Sequence, residues 1–376
     1  MRTRRRVIKD IDWSLVAAVL ILTGVSLPMI ASATQATTTG DYSLVVRQAV
    51  AAGLGVIAVC VVLLVDYTDL MRFSRLIYAG NLGLLVAVLL RGRSALGAQR
   101  WLQLGPIPLQ PSEVAKIAVI VTLASVLARR EDESESLWGV FWTFAHIALP
   151  MALVLKQPDL GTSLVFLAVA FGMLLVSGAK FGYLATVFGG GLASAVGAIV
   201  AHFRWGLPLP LKEYQLKRLI IFTNPGIDPL GAGYHIRQSI IAVGSGRLFG
   251  KGLFAGTQNQ LRFLPFQHTD FIFSVIGEEL GYVGGVAILL VYLFVIWRGL
   301  RIAASARDSY GALLATGVVS VFAFHIIVNV GMTIGVMPVT GIPLPFMSYG
   351  GTSLVTNMVG VGILLNVYMR RHRILF

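Results

Sequence analysis

The chain reads as a succession of long apolar runs separated by short polar segments. Runs with few or no charges cover residues 13–33, 47–65, 76–90, 114–128 (broken by Lys116), 137–155, 160–179, 181–203 and 271–297 (carrying Glu278 and Glu279). Most are close to the roughly 20 residues that cross about 30 Å of hydrocarbon as an α-helix. A further uncharged stretch, 309–369, is too long for one helix. Pro338, Pro343, Pro345 and the Gly350-Gly351 pair interrupt it, so it divides into two helices around an irregular segment near 332–352. The pattern predicts an all-α, polytopic integral membrane protein with about ten transmembrane helices. Residues 1–376 form a single membrane domain, within which 204–269 is the one large extracytoplasmic loop. There is no internal repeat and no low-complexity tail.

Composition supports a bilayer as solvent. Only 12% of the 376 residues are charged and 56% are hydrophobic, against about 25% charged in soluble domains. The net charge of +13 raises nucleic acid as a partner. The basic residues, however, stand in short clusters between apolar spans and not along one soluble face, which argues for membrane lipids or an anionic lipid-linked substrate and against nucleic acid. The one cysteine, Cys60, lies inside an apolar run, so there is neither a disulfide framework nor a thiolate metal site. The six histidines show no zinc-binding spacing, and a metal, if one binds, must be held by oxygens.

Orientation follows from Lys and Arg. Clusters at 2–6, Arg72 and Arg75, Arg129 and Arg130, Lys180, Arg298, Arg301 and Arg307, and 370–373 all fall on one side when the spans number ten. That side is expected to be the cytoplasm, with both termini inside. The N-terminus also imitates a secretory signal ending at Ala31-Ser32-Ala33, but its apolar run exceeds the roughly 7–15 residues of such signals. The opposite face receives 91–112, the turn Gln157-Pro158-Asp159, the loop 204–269 and the segment 332–352. The loop carries Arg204, Lys212, Lys217, Arg218, Arg237, Arg247, Lys251 and Arg262 against Glu213 and Asp228. Two readings are open: a loop facing lipid headgroups, or a pocket for phosphate groups, which Arg forks and Lys point charges suit.

Asp270, in HTDFIFSVIGEELG, sits where this basic loop meets an apolar helix. By spacing alone it caps that helix as readily as it acts as a general base beside Gln267 and His268. Glu278 and Glu279 lie about 12 Å further along the same helix and need partners that the sequence does not name. Glu113 and Lys116, three apart behind Pro111, share a helix face. They form either an ion pair that lets both charges tolerate the membrane, or the wall of a cavity in which Lys116 meets a phosphate. Arg100 and Trp101 precede them, Arg as a headgroup contact and Trp as an interfacial anchor. Asp159, at another helix start, is first of all a cap. GSGRLFGKG (244–252) has neither the spacing nor the Ser/Thr of a phosphate loop. Gly350 and Gly351, with Pro343 and Pro345, mark irregular backbone at membrane depth, tolerated only where it lines a polar cavity or is buried in protein.

RWLQLGPIPLQPSEVAKIA (100–118), QPDLGTSLVF (157–166), QSIIAVGSGRLFGKGLFAGTQ (238–258), FLPFQHTDFIFSVIGEELG (263–281) and GVMPVTGIPLPFMSYGGTSL (335–354) together resemble the SEDS family (shape, elongation, division, sporulation) over nearly the whole chain, most closely its elongation branch. The resemblance implies a peptidoglycan glycosyltransferase that polymerises lipid II beside a class B penicillin-binding transpeptidase. It maps the proposed catalytic aspartate onto Asp270, the family's acid and lysine onto Glu113 and Lys116, its RW pair onto Arg100 and Trp101, and its QPD aspartate onto Asp159. Arg247 departs from the pattern and receives no catalytic part. A polyprenyl diphosphate is already a good leaving group, so inverting transfer needs one base and cationic stabilisation, not the two carboxylates of a glycosidase. On this reading Asp270 deprotonates the acceptor hydroxyl. Lys116, the loop cations and, where one binds, a divalent cation such as Mg2+ stabilise the diphosphate. No cofactor is otherwise required. A lipid II flippase and a noncatalytic scaffold are the rival readings. The first lacks visible inverted-repeat symmetry and midplane charges, and the second leaves the basic loop unexplained.

Overall fold

The computed structural model describes residues 10–35, 42–95, 98–104, 107–130, 136–208, 213–223, 225–228, 231–261, 263–264 and 266–371. The basic cluster at 2–6, Lys212, Arg262 and the last two residues of the 370–373 cluster lie outside the described residues, as does the side chain of Lys217.

In chain order the helices are α1 (Trp13–Gln35), α2 (Ser43–Leu64), a short α3 (Tyr67–Arg72), α4 (Ser74–Arg91), α5 (Pro111–Arg129), α6 (Leu137–Lys156), α7 (Leu160–Val176) and α8 (Phe181–Trp205). They continue with α9 (Glu213–Thr223), α10 (Ala232–Ser245), α11 (Thr257–Gln260), α12 (Ile272–Ala304), α13 (Ser309–Thr333) and α14 (Gly351–Met369). Among the described residues nine helices are long and apolar enough to span a bilayer. The tenth, α7, has 17 residues, the lower limit for a span of about 17–25. The ten helices stand on the ten runs expected from hydropathy, and the chain is a multi-pass membrane protein.

Local chemistry sets the helix ends. Ser136 accepts from Gly139 N (3.2 Å) at the start of α6, and Asp308 accepts from Gly311 N (2.8 Å) at the start of α13. Pro111 opens α5 where its missing N–H is harmless. The buried helices α5 and α13 lie against each other, with α7, α12 and α14 around them, whereas α8 is almost wholly exposed to the surroundings. Polar clamps close the face that carries Arg298 and Arg370. Arg298 pairs with Asp12, Arg370 with Asp66 (3.1 Å), and Tyr67 Oη donates to Asp308 (2.6 Å).

The opposite face departs from the plain loops expected there. Within 91–112 lies a three-stranded antiparallel sheet, β1 (Arg93–Ala95), β2 (Ala98–Leu104) and β3 (Ile107–Leu109). Short alternating runs separated by Gly97 and by Gly105-Pro106 favour hairpins over a simple crossing. The loop 204–269 contains α9, α10 and α11. α12 runs seven residues past the expected end at 297, because Arg298 and Arg301 stay helical while Arg298 pairs with Asp12. The segment between α13 and α14 is irregular, as the prolines required.

Candidate active site

Asp270 lies just ahead of α12 and does not cap it. The cap position is Phe271, without a side-chain bond, and among the described residues no hydrogen bond reaches the Asp270 carboxylate. Its backbone, in contrast, is pinned. The carbonyl of His268 accepts from Tyr349 N (2.8 Å), that of Thr269 from Ser348 Oγ (2.6 Å), and that of Asp270 from Asn329 Nδ2 (2.9 Å). The same Asn329 nitrogen donates to Ile342 O (2.8 Å), and Ser348 Oγ accepts from Leu344 N (2.8 Å). Three consecutive carbonyls of the HTD segment are thus stapled to α13 and to the Pro/Gly segment. The carboxylate is left half-buried and uncommitted beside Gly341, whose Cβ position would stand 3.4 Å from Oδ2.

Electrostatics then tune it. Loss of hydration raises the Asp270 carboxyl from 3.8 to about 6, opposed by the charges of Arg218 on α9 and Arg100 on β2 and assisted by Asp159. Asp270 remains mostly ionised at neutral pH yet is basic enough to accept a proton. Arg218 is held in place by donating to Thr340 O (3.3 Å). Arg100 donates to Gln157 O (3.1 Å) and to Pro158 O, so it braces the QPD turn. Asp159 does cap α7: it accepts from Thr162 N (3.2 Å) and Thr162 Oγ1 (2.9 Å), and from Ser112 Oγ on α5 (3.2 Å). His268 packs edge-on to Tyr349 at 5.7 Å between ring centroids, and burial lowers its pKa below 6.5, so its ring is neutral.

Strand alternation places Trp101 on the other side of β2 from Arg100. There, with Tyr349, it walls an apolar groove of about 1470 Å³ between α2, α5 and α14, lined by Val50, Leu54, Val61, Ile117 and Val121 among others. Arg100–Trp101 and His268–Tyr349 therefore each bridge the Asp270 mouth and the groove.

Glu113 and Lys116 lie deeper. Lys116 is 1% exposed and Glu113 3%. The ammonium sits 2.9 Å from both carboxylate oxygens and 3.2 Å from His325 Nε2. His325 Nδ1 then donates to Pro343 O (3.0 Å), which makes Nε2 the acceptor from Lys116. The ion-pair arrangement is what the geometry shows, tied through His325 to the backbone of the segment that walls the site. Among the described loop cations, the charge of Arg218 acts on Asp270. Lys251 is bound to Glu278 (2.6 Å), and Arg204, Arg237 and Arg247 are exposed. Glu279 accepts from Ser32 Oγ and Asn259 Nδ2 (3.2 Å).

His325, Asn329, Ser348 and Tyr349 escaped the sequence reading. A signal existed for the first two: polar residues four apart in an otherwise apolar helix share a face and mark a site. Among the described residues no three His, Cys, Asp or Glu side chains gather to hold a metal. A divalent cation at this mouth would draw on Asp270 and Asp159 and take its remaining oxygens from substrate phosphates and water.

The fold and this mouth define a class: a multi-pass membrane protein in which, among the described residues, the Asp270 carboxylate takes no hydrogen bond, is pinned through its backbone and feels the charges of Arg218 and Arg100. Residues 12–373 match the cell cycle protein family that groups FtsW, RodA and SpoVE, and the chain belongs to that family. It is 37% identical over 441 aligned positions to the peptidoglycan glycosyltransferase RodA of Treponema pallidum, covering 98% of this chain and 100% of that one. It is 43% identical over 288 positions to the peptidoglycan glycosyltransferase MrdB of Escherichia coli K12, covering 77% and 75%. A chain of a solved peptidoglycan synthase complex, described as coordinating polymerization and crosslinking, superposes with a TM-score of 0.80 at 31% identity, covering 96% of this chain and 99% of that chain.

Proposed function

We propose that the chain is a peptidoglycan glycosyltransferase that polymerises lipid II at the outer face of the bacterial cytoplasmic membrane during cell elongation, beside a class B penicillin-binding transpeptidase. Both termini lie in the cytoplasm, as the basic clusters favour, and 1–376 act as one membrane domain. The observation that carries the reading is the Asp270 carboxylate, without a hydrogen bond among the described residues, raised to about 6 by burial and acted on by the charges of Arg218 and Arg100.

In this mechanism Asp270 takes the proton of the acceptor sugar's 4-hydroxyl as that oxygen attacks the anomeric carbon of the lipid-linked donor. The bond from that carbon to the diphosphate oxygen breaks, its electron pair leaves with the diphosphate, and the configuration inverts. Arg218 and Arg100 stand where charge develops on the leaving group. Asn329, Ser348 and the Tyr349 N–H hold the base in register, and the apolar groove beside Trp101 takes the polyprenyl chain. Glu113 and Lys116 serve the substrate indirectly, through His325 and Pro343. A divalent cation, when bound, would add charge neutralisation at the diphosphate.

The test uses the purified chain with its transpeptidase partner and labelled lipid II in detergent, where there are no two sides to flip between. Glycan polymer that forms under transpeptidase inhibition and vanishes in Asp270→Asn supports the proposal. Well-folded wild-type complex that makes no polymer overturns it, and lipid II transport in sealed vesicles then distinguishes a flippase from a scaffold.

A further inference from the structure

α12 is broken at Gly281 (φ 68°, ψ −167°), and the loop after α10 fills the break. In an unbroken helix the N–H groups of Tyr282 and Val283 would donate to Glu278 O and Glu279 O. Here they donate to Arg247 O (2.8 Å) and Leu248 O (3.0 Å), while Glu278 O and Glu279 O accept from Lys251 N and Gly252 N, both at 3.0 Å. Four bonds to the loop replace two within the helix. The approach is backbone on backbone. A Cβ on Gly250 (φ +81°) would stand 2.1 Å from Glu279 O, and one on Gly281 would stand 2.2 Å from Gly250 N. Side chains fasten the loop as well: Glu278 Oε1 accepts from Lys251 Nζ (2.6 Å), Thr257 Oγ1 (3.1 Å) and Gln258 N (3.0 Å), and Glu279 Oε2 accepts from Phe254 N (3.3 Å).

The helix sets the depth of this loop. Arg298, further along α12, is paired with Asp12 at the opposite surface. About 20 helical residues are needed to cross roughly 30 Å of hydrocarbon. Counted back from Arg298, that span ends near the Gly281 break. At this level an unpaired backbone N–H or C=O is strongly disfavoured, and the loop supplies the missing partners, which requires it to lie there too. Its outward side fits that place. Phe249 is 80% exposed and Leu248 60%, with Leu253 and Phe254 also exposed, next to Tyr282 and Val283 on α12. Arg247 is exposed beside them. No acidic residue occurs in 244–257.

We propose that residues 247–254 form a membrane-seated loop. Leu248 and Phe249 enter the acyl boundary of the leaflet on the Asp270 side, and Arg247 reaches the lipid phosphates. Lipid is the occupant because the patch continues the exposed apolar side of α12, where Leu290 and Leu293 also face outward, and because its flanking charge is positive. The glycine-rich motif that imitates a phosphate loop is, on this account, what lets the loop lie flat against a broken helix.

The test labels the full chain with a nitroxide at Phe249→Cys in a Cys60→Ser background, reconstituted in nanodiscs of phosphatidylethanolamine and phosphatidylglycerol. Collision with oxygen is compared with collision with a water-soluble nickel chelate, using a label at Leu290 as the lipid-facing reference. Oxygen collisions in excess of nickel collisions at 249, as at 290, are expected. A ratio inverted in favour of nickel places the loop in water and overturns the proposal. A label shielded from both reagents is packed against protein and overturns it as well. Unchanged thermal unfolding of the labelled chain shows that the fold survives the substitution.

Discussion

The titration of Asp270 offers a quantitative check on its proposed part in catalysis. A general base works only when unprotonated. With its carboxyl at about 6, about nine-tenths of the protein carries the base form at pH 7 and about one-tenth at pH 5, so the rate should fall about tenfold between them. Burial sets the height of that value, and the nearby positive charge of Arg218 keeps it from rising further. Arg218→Gln removes this lowering influence, so the acid limb should move to higher pH. A rise of about one unit, equivalent to about 1.4 kcal/mol, costs about fivefold at pH 6 and very little at pH 8 through the ionisation of Asp270, on top of a pH-independent loss from the missing cation at the leaving group. Arg218→Lys keeps the charge and loses the guanidinium fork, so its limb should stay close to that of the parent. The assay is the initial rate of glycan polymerisation by the purified complex from pH 5 to 8.5, with a thermal unfolding midpoint at each pH to show that the fold persists. A rate that stays flat down to pH 5, or an Arg218→Gln limb that coincides with the parent's, refutes the assignment of Asp270 as a titrating base.

Asp270→Asn should abolish polymerisation without loss of thermal stability. The folded carboxyl titrates above its ordinary value, so its stabilising contribution is complete below about pH 4 and is lost as pH rises through about 6. At pH 7.5 a neutral side chain is therefore tolerated at least as well, with a gain of about 1–3 kcal/mol after allowance for partial exposure, and a clear drop in melting temperature would instead reveal a structural role. Lys116→Met strands a buried Glu113 and should cost about 3–5 kcal/mol, visible as a lowered melting temperature in detergent that Glu113→Gln partly restores. Asn329→Leu leaves the buried carbonyl of Ile342 and the partly buried carbonyl of Asp270 without their donor, at about 1–3 kcal/mol for the buried one; because the base loses its register, kcat should fall further than KM changes. Gly250→Ala meets Glu279 O at a positive φ and should reduce the yield of folded protein, whereas Gly182→Ala, with nothing within 4 Å of the added carbon, should not.

The ten spans were legible in the sequence because a bilayer imposes a length and a composition on any segment that crosses it, and both are properties of consecutive residues. The cap at Asp159 was legible for the same reason, since an N-cap bonds to its own chain three residues on. Asp270 was not decidable in this way. As cap and as free base it has the same neighbours in sequence, and the difference lies in Phe271 taking the cap position while Asn329, Ser348 and Tyr349, up to 80 residues distant along the chain, hold the HTD carbonyls. The partners of Lys116 and Glu278 divide likewise. Glu113 lies one helical turn from Lys116 and could be named in advance, whereas His325 and Lys251 come from other elements. The Gly281 break hides inside a long run that is apolar apart from Glu278 and Glu279, because a loop elsewhere in the chain completes its hydrogen bonds and the helix resumes beyond it. Sequence by itself determined which segments lie in the membrane and which residue types gather at one face of it. Only the tertiary structure decided which carboxylate is left free, because hydrogen-bond partners that exclude or permit that freedom are brought together by packing and not by spacing along the chain.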